Sequence, residues 1–389
     1  MKAMTEDISV TTFREYLRIP TVHPDPDYEP ALAFLNRLAH DVGLEYQVVR
    51  VLPRKPVIIM TWPGKDPALS SLVLNSYMDV VPVFPQYWKY DPFSAHKDDS
   101  GNIYGRGTQD MKSAGIQYVE AIRRLKSRGV RLLRTVHVTF VPGIACEDDI
   151  YQIFNGERVR WHLRVICRGN PGHGSKFIEN TAVEKMVLAQ RSMLHILQYF
   201  LDPEERKILS NKFLKFRDEQ KHLWESSPAK TLGDFVTVNL TIVNGGVQVN
   251  VVPAEITLDF DIRVPPTENY DKLTRQFESW VEEAGAEYKW FEKGLIKTVT
   301  SVQDSNPWWS TFAGVMNSLG LKYKVGIDFG GTDLRYFREL GYAAFGFCPM
   351  INAPQLLHDH NEYLNENVYL AGVDIHAHLI QALASLPSF

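Results

Sequence analysis

The sequence predicts an α/β fold: a mixed-sheet α/β domain built from both ends of the chain, with a smaller ferredoxin-like α+β domain inserted between them. Three observations predict it. The chain has 389 residues, about 2.6 times the roughly 150 of a common domain, which points to two domains or one with an insertion. Both ends alternate short β-branched runs with amphipathic helices, the pattern of a layered, largely buried sheet. The middle reads β-α-β-β-α-β, the order of a ferredoxin-like unit. The expected boundaries are 1–159 with 293–389 for the larger domain and 160–292 for the insertion.

The elements follow in order. Thr12 and Glu15 have capping-box spacing, and Phe13, Tyr16 and Leu17 share one face of the helix that begins there. ALAFLNRLAHDVG is a second helix with Gly43 at its C′ position. YQVVRV (46–51), PVIIMTW (56–62) and SLVLNSYM (71–78) read as strands between Pro, Gly and Asp punctuation. A helix over about 112–128 places Ile116, Val119, Ile122 and Leu125 on one face, and the strand TVHVTFVP (135–142) follows. The insertion runs through WHLRVICRG (161–169), a helical region at about 180–225, DFVTVNLTIVNGG (234–246), EITLDFDIRV (255–264), a helix at about 270–284 and EYKWFE (287–292). A helix near Trp308–Leu319, the strand YAAFGFCP (342–349) and a final helix near 366–384 complete the larger domain.

Composition excludes several classes. With 44% hydrophobic and 23% charged residues, 25 Gly and 22 Pro, the chain is neither collagen-like nor low-complexity. Lys and Arg number 42 against 46 Asp and Glu, for a net charge of −4. No basic surplus is available to neutralise a nucleic-acid backbone. Cys146, Cys167 and Cys348 are odd in number and lack CxxC spacing, so they read as free thiols in a reducing compartment. The N-terminus shows no signal-peptide apolar stretch, and no window reaches a membrane span of about 18 apolar residues. The expectation is a cytoplasmic protein with no membrane or nucleic-acid partner.

Open α/β sheets carry their sites beyond strand ends. Asp79 closes SLVLNSYMD, Asp110 lies in the Gly-rich turn GRGTQDMK, and His358 and His360 lie in LLHDHNEYL. Acidic and histidine residues on separate loops past apolar strands suggest metal ligands converging from distant positions. Each also has an ordinary reading: an Asp after a strand caps turns, and a solvated loop carries His-Asp-His equally well. GRGTQD lacks the GxxxxGK[ST] spacing of a phosphate loop. Trp308 and Trp309 read as packing, and NKFLKFRDEQKHLW as a solvated helix face.

Nine separated motifs, in order along nearly the whole chain, carry a resemblance: LVLNSYMDVVPV, WKYDPFSAHKD, GNIYGRGTQDMK, TVHVTFVP, NPGHGSKF, NGGVQVNVVPA, DFDIRVPP, QDSNPWW and LLHDHNEYL. Together they resemble the aminoacylase-1 branch of the dinuclear zinc peptidase and deacylase family, M20. The resemblance implies a zinc-peptidase-like catalytic domain with an inserted ferredoxin-like lid that forms a homodimer. It implies hydrolysis of N-acyl-L-amino acids to a carboxylate and an L-amino acid by a water activated between two Zn(2+) ions per subunit. By the same resemblance Asp110 bridges the metals, His358 is a further ligand, and Asp79 orients the first-site histidine. His173 resembles the lid histidine that crosses the dimer interface to the oxyanion. Asn250, Arg263 and Arg335 resemble substrate-holding residues, an arginine suiting bidentate capture of a carboxylate. Without it, His173 is a loop histidine, Asn250 a turn residue and Arg263 one end of a strand-edge ion pair.

Two departures stand against the pattern. Where the family has its first-site histidine this chain has Tyr77, whose phenol must lose a proton, at a usual pKa near 10, to become a strong ligand. TVHVTFVP is followed in the family by Asp-Glu-Glu, which holds the general base and a metal ligand, and a further acidic ligand comes later. Here Pro142 runs directly into GIACEDDIYQIFNGERVRW, so the intervening block is absent. Glu147, Asp148 and Asp149 lie within contour reach of the missing positions, yet no rigid element is evident to hold them. The sequence therefore carries two readings: an aminoacylase-like amidohydrolase, or an inactive homologue or isoform acting as a binding or dimer-partner protein.

Overall fold

A computed structural model describes residues 6–52, 54–139, 150–191, 212–227 and 230–389. The chain divides into two units, the first Met1–Ile153 with Ser301–Val325 and Phe345–Phe389, the second Phe154–Thr300 with Gly326–Ala344. This division places 326–344 in the second unit, where the sequence reading keeps it in the larger domain. The tail of the strand 135–142 and Cys146, Glu147, Asp148 and Asp149 lie outside the described residues.

In the first unit, α1 (Ile8–Leu17) buries Phe13, Tyr16 and Leu17 completely. Its start corrects the capping-box expectation. Asp7 is the cap, its Oδ1 accepting from the Ser9 amide at 2.8 Å, and Thr12 lies inside the helix with its hydroxyl donating to the Ile8 carbonyl at 2.8 Å. An Asp one residue before a helix satisfies the same orphan amides as Thr, and the earlier cap gains a further turn. Helix α2 (Glu29–Val42) opens with Pro30 in its first turn and ends at Gly43, whose φ of 70° is the left-handed conformation glycine adopts without penalty.

Strands β1 (Glu45–Leu52), β2 (Lys55–Trp62), β3 (Leu72–Leu74) and, later in the chain, β6 (Val136–Val138) form a sheet ordered β1-β2-β6-β3. Its β1–β2 and β2–β6 pairs are antiparallel and β3–β6 is parallel, so the sheet is mixed. Before β6 come two short strands, β4 (His96–Lys97) and β5 (Asn102–Tyr104), and helix α3 (Lys112–Ser127). Ile116, Val119, Ile122 and Leu125 on α3 are at most 1% exposed, and burial of each such side chain contributes roughly 1.5–3 kcal/mol.

The second unit is built on β7 (Tyr151–Glu157), whose first residues belong to the first unit, and β8 (Val159–Arg168). After the short β9 (Gly172–His173) come α4 (Ala182–Arg191), α5 (Lys212–Glu225), β10 (Thr237–Gly245), β11 (Val251–Val252), β12 (Glu255–Val264), α6 (Tyr270–Glu283) and β13 (Glu287–Lys293). The sheet order β10-β12-β8-β13, antiparallel throughout, is that of a ferredoxin-like unit. Trp161, Leu163, Val165 and Cys167 alternate inward from β8 and meet Ile256, Leu258, Phe260 and Ile262 of β12 in one core.

The chain closes with α7 (Pro307–Ser318), β14 (Tyr323–Asp328), α8 (Leu334–Glu339), β15 (Gly346–Phe347), β16 (Tyr363–Asn365) and α9 (Glu366–Leu383). Two expected strands are shorter than their apolar runs. The run 71–78 is a strand only to Leu74, and 342–349 only at Gly346–Phe347. Cys167 is a buried free thiol and Cys348 is buried. Among the described residues no helix is long and apolar enough to cross a membrane.

Candidate metal and substrate sites

Asp110 and His358 are 248 positions apart, and one strand pair brings their loops together. β5 pairs antiparallel with β16, Tyr104 opposite Tyr363 and Asn102 opposite Asn365. The turn 105–110 leaves one strand and the loop 356–362 enters the other. Glu362 locks the two. Its carboxylate, fully buried, accepts from the backbone amides of Gly107 (3.1 Å), Gln109 (2.5 Å) and Asp110 (3.1 Å) and from the Arg106 guanidinium (2.8 Å). Burial pushes its pKa up against these bonds. Gln109 adds bonds from its side-chain amide to the carbonyls of Pro354 and Tyr363, both 2.9 Å.

The outcome is a contact of 3.1 Å between His358 Nε2 and Asp110 Oδ2. His358 adopts φ +63° and is mostly exposed, and its hydrogen bond to Asp110 raises its pKa. Of the four residues singled out on these loops, Asp110 and His358 therefore meet, while the ring of His360 packs against Phe84 and Tyr87. Glu362 was not singled out; the only trace of it in the sequence is its place four residues after His358.

Asp79 and Tyr77 follow β3, both half-buried. The Asp79 carboxylate is engaged by His23 Nε2, a residue the sequence reading did not single out. Backbone bonds align the two segments: the Val80 amide donates to the Thr21 carbonyl (2.9 Å) and the His23 amide to the Val80 carbonyl (3.0 Å). The group that would orient a first-site histidine is thus occupied by another histidine.

Zinc is the metal the family resemblance implies, and a catalytic zinc takes three protein ligands. Among the described residues no group of three or more His, Cys, Asp or Glu is arranged to hold a metal ion. Asp110 and His358 supply two donors. The described residues on their own do not fit a two-zinc centre.

The remaining candidates lie in the second unit. His173 in β9 pairs with Val251 of β11, and the Gly174 amide donates to the Asn250 carbonyl at 2.8 Å, so His173 and Asn250 are neighbours on one exposed ribbon. The Ser175 hydroxyl lies 2.8 Å from His173 Nδ1 and the Ser175 amide donates to the same nitrogen at 3.3 Å; with Nδ1 accepting, the neutral ring carries its proton on Nε2. Arg263, on β12, forms a two-pronged pair with Asp261 (2.6 and 3.1 Å). Arg335, in the first turn of α8, makes one hydrogen bond among the described residues, to the Tyr336 hydroxyl at 3.3 Å.

The mixed sheet, the ferredoxin-like insertion and the Asp110–His358 corner are the features against which the comparisons with known proteins are read. The chain belongs to the Peptidase family M20/M25/M40, which matches residues 73–382. It is 43% identical to aminoacylase-1 of Sus scrofa, over 98% of this chain and 97% of that protein, and 42% identical to that of Homo sapiens with the same coverage. Both alignments run over 415 positions against 389 residues here, so these relatives carry residues this chain lacks. In fold it resembles an M20 family metallo-carboxypeptidase of Sulfolobus solfataricus, at a TM-score of 0.72 and 16% identity, covering 98% of this chain and all of that one. A dipeptidase of Saccharomyces cerevisiae gives 0.67 at 15% identity, with 98% and 96% covered.

Proposed function

We propose that this chain is an aminoacylase-like amidohydrolase that cleaves N-acyl-L-amino acids to a carboxylate and a free L-amino acid. The observation that carries the reading is the 43% identity to an aminoacylase across 98% of the chain. The residue chemistry supports it. Arg335 keeps most of its five donors available for a carboxylate, and His173 presents a donor suited to an amide oxygen that gains charge. Asn250 supplies a further polar group beside His173, and Arg263, whose Nε and Nη2 are held by Asp261, offers its remaining nitrogen. Asp110 and His358 are the ligands a metal would take first, and Tyr77 stands at the position of the family's first-site histidine.

The missing general base sets the expected rate. Base assistance is worth about 10²–10⁴-fold, so turnover falls below that of a relative with Asp-Glu-Glu by a factor of that order. We place the protein in the cytoplasm, on the strength of the buried free thiol Cys167 and an odd number of cysteines without CxxC spacing. We read it as a homodimer through the insertion, where Phe177, Val247 and Val249 are at least 91% exposed.

The deciding experiment incubates the purified chain with N-acetyl-L-methionine and N-acetyl-D-methionine while zinc content is measured. Slow release of L-methionine alone supports the proposal. Absence of both zinc and turnover in a chain that still dimerises selects the second reading, an inactive binding or dimer-partner homologue, which the two-donor metal corner favours.

A further inference from the structure

Glu157 ends β7 with its side chain almost completely buried. Its carboxylate accepts from three groups of the segment 328–338: the Thr332 amide, the Thr332 hydroxyl at 3.0 Å and the Arg338 guanidinium at 3.0 Å. The next residue reinforces the hold. Arg158 donates twice to the Phe329 carbonyl (2.9 and 2.6 Å), while its other nitrogen reaches the Phe235 carbonyl and the Thr237 hydroxyl. Asp328 closes the turn, accepting from the Gly330 amide at 2.8 Å. Adjacent residues at one corner thus fix both ends of a loop that carries Arg335.

Arg335 lies close to this corner without being captured by it. A Cβ on Gly331 would sit 3.1 Å from Arg335 Nη1 and 3.8 Å from Glu157 Oε2, so both side chains border this glycine, and the Arg335 charge acts on the Glu157 carboxylate. The oxygens of Glu157 are occupied by Thr332 and Arg338. Its charge steadies Arg335 while the donors of Arg335 stay available.

We propose that Glu157 is a positioning residue for Arg335: it clamps the 328–338 loop and holds the guanidinium in place for the carboxylate of the ligand. The proposal rests on the reading of the chain as aminoacylase-like. Glu157→Gln keeps the shape and turns an amide N–H₂ against donors. Two measurements are made on the full chain. Hydrogen exchange follows the Gly330–Thr332 amides, and calorimetry compares N-acetyl-L-methionine with N-acetyl-L-methioninamide, which lacks the carboxylate.

Exchange at Thr332 is expected to speed up at least about tenfold, and the affinity for N-acetyl-L-methionine to fall about tenfold, the scale of one charge-assisted contact. Binding of the amide stays unchanged. Arg335→Ala gives the same selective loss, and the double variant adds nothing to it. Unchanged exchange overturns the clamp; equal weakening of both ligands, or additive losses, overturns the positioning role. If Glu157→Gln does not fold, Thr332→Val removes one of the three donors and is held to the same outcomes. A wild-type chain that binds neither ligand overturns the aminoacylase-like reading and the role of Arg335 with it, while the exchange result still decides the clamp.

Discussion

The corner around Asp110 and the loop around Arg335 share a design and differ in what they need to be complete. In each, a buried glutamate pairs with a buried arginine, Glu362 with Arg106 at 2.8 Å and Glu157 with Arg338 at 3.0 Å, and gathers the backbone of a loop. Glu362 collects three amides and so presents Asp110; Glu157 collects an amide and a hydroxyl beside Arg335. An arginine that captures a carboxylate is chemically finished by itself. A metal ligand is not, because zinc needs two or three others placed around it. Removing one contiguous stretch of chain can therefore disable the first region while its scaffold stays intact, and leave the second untouched.

The largest effect should come from supplying what the first region lacks. Insertion of an aminoacylase relative's Asp-Glu-Glu segment between Pro142 and Gly143 is expected to raise N-acetyl-L-methionine hydrolysis by about 10²–10⁴-fold, with a gain in bound zinc at the Asp110–His358 corner, which the segment provides with a third ligand. Amino-acid release and metal analysis check it. A correctly folded insertion variant with neither gain would show that the Asp110–His358 corner is not the preserved half of a metal site.

Next is the shared device itself. Glu362→Ala leaves Arg106 buried without its partner and three amides without their acceptor, and loss of one member of such a buried pair costs about 3–5 kcal/mol. Chemical denaturation measures this. Glu157→Ala should cost less, since Glu157 serves one amide and one hydroxyl where Glu362 serves three amides. An equal or reversed order would break the comparison.

A pH experiment isolates the second region. Asp328 is buried beside Glu157 and Arg158, and burial raises its pKa from 3.8 to about 6. The fold therefore binds this proton more tightly than the unfolded chain does, so its contribution is complete below about pH 4 and is lost as pH rises through about 6. The loss amounts to roughly 3 kcal/mol for a shift of that size. Asp328→Asn should flatten the stability profile over this window, and a variant that keeps the wild-type slope would assign the titration elsewhere.

Much of this was legible in the sequence, and the parts that were not have physical reasons. Periodicity located α2, α3, β8, β12 and α6 because each is long and buries one regular face, as Ile116, Val119, Ile122 and Leu125 do on α3. Apolar runs overstated strands where burial has another cause. Met78 and Val80 are buried beyond the end of β3, in a segment that turns to place Asp79. Asp110 and His358 were visible because their residue types suit metals. Glu362, Glu157 and His23 were not, since a buried charge is recognised by partners that arrive from distant parts of the chain: Glu362 holds amides more than 250 positions away.

The smallest expected effect tests whether the metal corner is merely incomplete or has been rebuilt. On the reading proposed above, Tyr77→His returns an imidazole to a first-site position, but a metal-binding histidine depends on a carboxylate to orient it, a dependence worth about 10–100-fold in affinity. Asp79, the carboxylate available, is held by His23. Tyr77→His alone should therefore tighten zinc binding by less than tenfold in a chelator competition, and Tyr77→His with His23→Ala by about tenfold or more, because the second change releases Asp79. His23→Ala alone should do nothing for zinc, since a freed Asp79 has no imidazole to orient. Additive effects of the two substitutions would show that His23 does not compete for Asp79, and the Asp79–His23 pair would then be incidental to zinc binding.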